Sequence, residues 1–229
     1  MSLKALLFDV FGTCVDWRTS VAREAAALGL PGEQVADAWR ARYQPQLETV
    51  RRGEREWVVL DVLHREALDD VLDDLGLSEA VGASQRDELT LAWHRLDPWP
   101  DTVGGLTRLK RRYAIAPCSN GHIAQSVNLA RHAGLPWDAI LGAEVARAYK
   151  PAPEVYLASV AALGIEPGEA MMVAAHNGDL VAAAGCGLRT AFVARPREHG
   201  PGQQTDLHAD GDVDVEADDF GALAGALGT

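Results

Sequence analysis

Four short polar stretches carry residue types suited to chemistry, and three of them directly follow an apolar run. Leu3 to Phe8 is apolar apart from Lys4, ends at the carboxylate of Asp9, and is soon followed by Gly12 and Thr13. Tyr113–Pro117 leads into Cys118-Ser119-Asn120-Gly121, and Ala170–Ala175 into His176-Asn177-Gly178-Asp179. Between them lies Tyr149-Lys150-Pro151, ahead of a segment carrying Tyr156. An acid at the end of a buried strand is poorly explained by packing, although Asp also caps turns. Brought together, these stretches would place one acid (Asp9), one base (Lys150), two hydroxyls (Thr13, Ser119) and a second acid (Asp179) side by side. Helix N-termini following Ser119 and Asp179 would favour a bound anion there.

Such convergence needs the strand ends to share one edge of a sheet, as they do in a doubly wound α/β fold. From Asp97 onward the pattern supports this. Helical stretches at Val103–Leu109, Ile123–Ala133, Pro153–Leu163, Leu180–Ala184 and Phe220–Leu227 alternate with strands. The strands are expected at Tyr113–Pro117, Ala139–Leu141, Ala170–Ala175, Arg189–Val193 and Asp212–Val215. Alternation of this kind predicts a mostly parallel, Rossmann-like sheet covered on both faces. Residues 19 to 96 differ, reading as four helices. The second, opening at Pro31, repeats Val35, Trp39, Tyr43 and Leu47 on one face. The third is expected from Trp57 to Leu75 and the fourth from Glu79 to Leu96, ended by Asp97-Pro98-Trp99-Pro100. The expected organisation is a core of residues 1–16 and 98–229, with a helical cap of residues 17–97 inserted after the first strand. The segment Pro196–Asp212 reads as an exposed loop.

The 229 residues are 48% hydrophobic and 24% charged, an ordinary globular balance. A net charge of −12 argues against a nucleic-acid surface, and any anionic substrate must be drawn in by a local positive pocket. Cys14, Cys118 and Cys186 lack metal-ligand spacing and are expected as reduced thiols. His64, His94, His122, His132, His199 and His208 are likewise scattered, so no metal site is expected. The sequence starts without a signal-peptide pattern, and no apolar run reaches the ~20 residues that span a bilayer. A cytoplasmic protein with no membrane partner is expected.

Taken in order, these stretches match a known set. Phe8-Asp9-Val10-Phe11-Gly12-Thr13 matches the first motif of the haloacid dehalogenase superfamily, and Ser119-Asn120-Gly121 the second. Tyr149-Lys150-Pro151 with Tyr156 matches the third, and Asp179 the last acid of the fourth. Trp39-Arg40 falls where the type II L-2-haloacid dehalogenases of that superfamily carry an active-site arginine. The chain resembles that subfamily over nearly its whole length, the helical insertion included. The resemblance implies hydrolysis of short (S)-2-haloalkanoic acids to 2-hydroxy acids without metal or cofactor. Asp9 would attack C2, releasing halide and forming an ester, and water would then attack the Asp9 carbonyl carbon. It further implies that Lys150 keeps Asp9 ionised, Thr13 orients it, and Arg40 meets the departing halide. Ser119, Asn120 and the backbone N–H groups of Val10 and Phe11 would bind the substrate carboxylate. Asp179 would position Lys150 or the water, with Tyr156 beside it, and Asn177 joins the substrate-binding residues. Dimers are usual in similar proteins, and apolar stripes on the cap helices leave room for a homodimer.

Phosphatases of the superfamily carry a second acid two residues after the nucleophile and another four residues before the equivalent of Asp179. Here those positions are Phe11 and Ala175. The alternatives are a defluorinase or a hydrolase of another small electrophilic carboxylic acid and, less favoured, a Mg-dependent phosphatase or a catalytically idle interaction protein. The last is opposed by the presence of Asp9, Arg40, Lys150 and Asp179. The chain departs from the family at Gly178, in place of a bulky aromatic, and at His176, in place of an amide. A neutral His176 would serve as general base for ester hydrolysis; the alternative is a structural hydrogen bond. Arg18 either adds positive charge at the entrance or lies on the cap hinge.

Overall fold

Ala5–Phe8 forms strand β1, and its four residues are all buried in the computed structural model, which describes residues 2–229. A central parallel strand has helices over both faces, which is why this run shows no polar alternation. The chain then makes β2 (Val15–Asp16) and four helices: α1 (Trp17–Ala27), α2 (Gly32–Arg51), α3 (Leu60–Asp74) and α4 (Ala83–Thr90). A 3-10 turn at Leu91–His94 and strand β3 (Asp97–Pro98) lead back. The first half of the return comprises α5 (Thr102–Leu109), β4 (Ala114–Ser119), α6 (Ile123–Ala133), β5 (Leu141–Gly142), α7 (Ala143–Ala146) and α8 (Pro153–Ala162). β6 (Ala170–Ala174), α9 (Asn177–Gly185), β7 (Arg189–Val193), β8 (Val215–Ala217) and α10 (Phe220–Ala226) complete it.

The main sheet has the order β5-β4-β1-β6-β7-β8, with every neighbouring pair parallel. The chain winds from β1 through β4 to β5 on one side, then through β6 and β7 to β8 on the other. The winding therefore reverses beside β1, where sheets of this Rossmann-like kind bind ligands at the strands' carboxyl ends. Phe8 is in register with Pro117 of β4 and Val173 of β6, so Asp9 emerges between those two strand ends.

α2 buries Val35, Trp39, Tyr43 and Leu47, the four-residue repeat read from the sequence. β2 and β3 pair antiparallel, Val15 with Pro98 and Asp16 with Asp97, so the chain leaves and rejoins the sheet through one doorway. Trp93 packs edge-on against Phe11 (5.8 Å between ring centres) and Trp39 (5.6 Å), linking the first turn to the helical layer.

Several boundaries differ from expectation. α3 starts at Leu60 rather than Trp57, because Val59 is still extended. The fourth helix is only Ala83–Thr90 and tightens into the 3-10 turn. The last strand lies at Val215–Ala217, later than expected. β2 and β3, at two residues each, are too short to show a period. Among the described residues no helix is long and apolar enough to cross a membrane, and all three cysteines are free.

Candidate active site

The turn after β1 aims Asp9 into a cavity of about 470 Å³ beneath α2. Asp9 is only 7% exposed, yet every contact to its carboxylate is a donor. Thr13 Oγ1 donates to Oδ2 at 2.7 Å, and the Ala175 N–H donates to Thr13 Oγ1 at 2.9 Å, which fixes the hydroxyl's direction. Lys150 Nζ donates to Asp9 Oδ1 at 2.8 Å and to Asp179 Oδ2 at 2.5 Å. Tyr156 completes the row, its hydroxyl donating to Asp179 Oδ1 at 2.5 Å. Burial alone would raise the Asp9 pKa, but Lys150 and His176 hold it well below the ordinary carboxylate range. Burial pushes the Asp179 carboxyl up, with Lys150 opposing.

His176 takes a position that the sequence did not reveal. Its Nδ1 lies 3.0 Å from Asp9 Oδ2 and its Nε2 2.9 Å from Glu198 Oε2. Burial favours the neutral ring, but the Glu198 and Asp9 carboxylates override it and raise the pKa well above the usual histidine value. Both ring nitrogens face carboxylates, an arrangement that favours the imidazolium over a neutral ring, the form a general base would need. Glu198 is 1% exposed, and Trp17 Nε1 donates to its Oε1 at 2.9 Å. Gly12 makes room for it: its φ is +88°, and a Cβ there would stand 2.1 Å from Glu198 Oε1. Gly12→Ala is expected to lower stability by at least about 1 kcal/mol through the positive φ alone. The melting temperature should fall by several degrees in a thermal scan.

Glu198 belongs to the segment expected to be an exposed loop. That segment is instead anchored to α9. Asn177 donates from its backbone N–H and from Nδ2 to Asp206 Oδ1, and its Oδ1 accepts from the Asp210 N–H. Asn177 does not line the cavity, contrary to its expected place among the substrate-binding residues. Ser119 and Val10 do not line it either. Ser119 Oγ accepts from the Gly121 N–H in the turn after β4, and Val10 is buried in the core. Asp179 lies within the first turn of α9, not ahead of the helix.

Asn120, Phe11, Tyr156 and Gly178 do line the cavity. Asn120 links two layers: Nδ2 donates to the Tyr43 hydroxyl at 3.0 Å, and Oδ1 accepts from the Lys150 N–H at 2.7 Å. Arg40 enters from α2 with its guanidinium 4.3 Å from the centre of the Tyr43 ring and 5.3 Å from that of Trp17. Its Nη1 is buried without a hydrogen-bond partner, and among the described residues no carboxylate forms an ion pair with it. A desolvated cationic donor facing a cavity is suited to an anion. Arg18 is instead committed to Asp37 and Glu33.

Of the residues that sequence reasoning missed, Glu198 matters most. No motif marks it; a lone acid in a polar loop reads as solvated. Tyr43 was visible only as part of an apolar helix face.

Residues 3–187 match the family model described as haloacid dehalogenase-like hydrolase. An (S)-2-haloacid dehalogenase from Pseudomonas sp. (strain CBS-3) is 30% identical over 203 residues, covering 86% of this chain and 88% of its own. A solved structure described as a defluorinating L-2-haloacid dehalogenase superposes with a TM-score of 0.96 at 48% identity, covering 99% of this chain and 96% of that one. Another L-2-haloacid dehalogenase gives a TM-score of 0.95 at 46% identity, covering 99% of each chain. The chain belongs to the haloacid dehalogenase-like hydrolases, and within them to the L-2-haloacid dehalogenases.

Proposed function

We propose that this chain, a carbon–halide hydrolase, converts short (S)-2-haloalkanoic acids to 2-hydroxy acids through an ester on Asp9, without a metal. The observation that carries this reading is the hydrogen bonding of the Asp9 carboxylate. Oδ2 receives two donors, Thr13 and His176, whereas Oδ1 receives only Lys150. Oδ1 therefore keeps a lone pair for attack, on a carboxylate held ionised by its neighbours. The two carboxylates that a cation would bridge, Asp9 and Asp179, already share the Lys150 ammonium, and Ala175 offers no side-chain oxygen. This donor set does not fit Mg²⁺, which favours octahedral oxygen coordination.

Under this reading residues 17–97 form a cap over the core and bring Arg40 to the site. Oδ1 forms a bond to C2 as the carbon–halogen bond breaks, and the halide leaves with the bonding pair toward Arg40. The substrate carboxylate is held by the Phe11 N–H and by the second hydrogen of Asn120 Nδ2. Water then adds to Cγ, and the π electrons move onto Oδ2, where Thr13 and the His176 imidazolium stabilise them. The proton lost by the water passes to the Lys150–Asp179 pair. Collapse of the adduct breaks the Cγ–Oδ1 bond, returns that proton to the departing alkoxide and leaves Asp9 as a carboxylic acid. Its remaining proton is released to solvent as the net acid product, which restores the Asp9 carboxylate. His176 is placed for stabilising the oxyanion, since Nδ1 contacts Oδ2 directly and leaves no room there for an intervening water.

Halide release from paired enantiomers of 2-chloro- and 2-bromopropionate, with fluoroacetate as a further arm, tests the activity. Release from the (S)-acids that is unchanged by chelator, and a substrate-derived mass on the peptide holding Asp9, are the expected results. Mg²⁺-dependent phosphate release with no haloacid turnover would refute the reading. Fluoride is included because one of the similar structures is described as defluorinating, and fluoride leaves only with strong hydrogen-bond assistance. Arg40→Ala is expected to lower kcat/KM by about 10²–10³-fold, the range seen when one charge-stabilising donor is lost. Steady-state halide release measures it.

A further inference from the structure

Two of the histidines scattered through the sequence converge on one carboxylate away from the catalytic cavity. Asp61 lies in the first turn of α3, His94 ends the 3-10 turn, and His122 is the N-cap of α6. His94 Nε2 is 3.0 Å from both Asp61 oxygens, and His122 Nε2 is 3.5 Å from Asp61 Oδ2. One nitrogen from each ring and one carboxylate oxygen all lie within 4.8 Å of one another. Ligands of a tetrahedral zinc ion stand roughly 3.3 Å apart, given bonds of about 2.0–2.1 Å. Small side-chain rotations cover the difference.

Hydrogen bonding leaves one member of this cluster, His122, unsatisfied. His122 is 6% exposed, its Nδ1 has no hydrogen-bond partner, and its Nε2 reaches Asp61 only at the limit of a weak bond. An imidazole so placed offers a lone pair and meets no firm proton acceptor. His94 Nδ1 lies 3.0 Å from Asn128 Nδ2. With the amide turned so that its oxygen faces the ring, Asn128 would accept the Nδ1 proton and leave Nε2 free for the ion, in the way second-sphere groups orient ligating histidines. The Asp61 side chain is 26% exposed, so an ion can enter and keep a water as its fourth ligand.

We propose that Asp61, His94 and His122 form a binding site for a divalent transition metal, Zn²⁺ by the chemistry of two imidazoles and one carboxylate. The ion would join α3 of the helical layer to the start of α6 beside the sheet. None of the three residues lines the cavity around Asp9, so the role is structural and independent of the reaction proposed above.

The test uses the full chain stripped of metal and titrated with Zn²⁺ alone against a chromophoric chelator. Uptake of one equivalent at micromolar Zn²⁺ is expected, with a rise of several degrees in melting temperature at saturation. His122→Gln and Asp61→Asn are each expected to weaken uptake at least tenfold and to abolish the thermal rise. His176→Gln is expected to keep both, which separates this site from the catalytic cluster. Co²⁺ bound in place of Zn²⁺ should show the visible absorption of a four-coordinate nitrogen and oxygen site. Failure to take up one equivalent, uptake unchanged in His122→Gln, or uptake lost in His176→Gln each overturns the proposal. If His122→Gln or Asp61→Asn does not fold, His94→Gln supplies the same comparison, and the wild-type stoichiometry decides by itself.

Discussion

Lys150→Met is expected to reduce turnover by at least about 10³-fold and to destabilise the protein by about 3–5 kcal/mol, the usual cost of stranding a buried charge. Lys150 is 7% exposed and is the one ammonium between Asp9 and Asp179. Methionine preserves much of the side chain's length and leaves two buried carboxylates facing each other. One of them must then take up a proton. A carboxyl whose folded pKa lies below its unfolded value stabilises the fold above the unfolded pKa, about 3.9, and loses that contribution as pH falls through the folded value. Wild-type Asp9 is of this kind, its pKa lowered by Lys150 and His176 against burial. In the variant burial gains the upper hand for the pair. The melting-temperature gap between wild type and variant should therefore widen from pH 5 to pH 8. A gap that stays constant with pH would mean that Lys150 contributes packing and no charge.

The core of this site was legible because each member follows a strand or sits in a short fixed string. β1 is four apolar residues ending at Asp9, and the same sheet edge gathers Thr13, Lys150 and Asp179. Period and turn chemistry therefore sufficed to place them. The charge on His176 was not legible, because it depends on a partner 22 residues away. Glu198 sits in a segment without periodicity and outside the residues matched by the family model. Its burial follows from tertiary features: the missing Cβ of Gly12 and the indole N–H of Trp17. Asn177 misled for a related reason. An amide beside a catalytic string reads as a ligand for substrate, yet here it anchors the segment that delivers Glu198. The two-residue strands β2 and β3 hold too little sequence to show a pattern, although they fix where the helical layer joins the sheet.

Glu198→Gln is expected to leave the halide burst nearly unchanged and to slow ester breakdown by about 10²–10³-fold, so that alkylated enzyme accumulates. Before the reaction Asp9 still pairs with His176 in this variant. Once the ester forms, Asp9 carries no charge, and the ring then faces neither carboxylate. Burial, the first influence on its pKa, drives it neutral, and the cationic donor at Oδ2 is lost. Single-turnover mass measurements read the ester directly, and His176→Gln should show the same accumulation. The double variant should be little worse than either single one, since both remove the same cation. The pH dependence separates a donor from a base. Wild-type ester breakdown should be flat from pH 6 to 8, because Glu198 keeps His176 protonated throughout. In Glu198→Gln the rate should rise as pH falls and the ring regains its proton; a rate that rises with pH would make His176 a base. Stability carries the same sign. A raised histidine pKa stabilises the fold fully below about 6.5 and is lost as pH climbs through the folded value. The melting temperature of Glu198→Gln should thus fall furthest below wild type at about pH 5–6, where both partners are charged, and approach it in alkali. It should approach it again in strong acid, because the lowered pKa of Glu198 makes its contribution vanish as pH falls below the unfolded value.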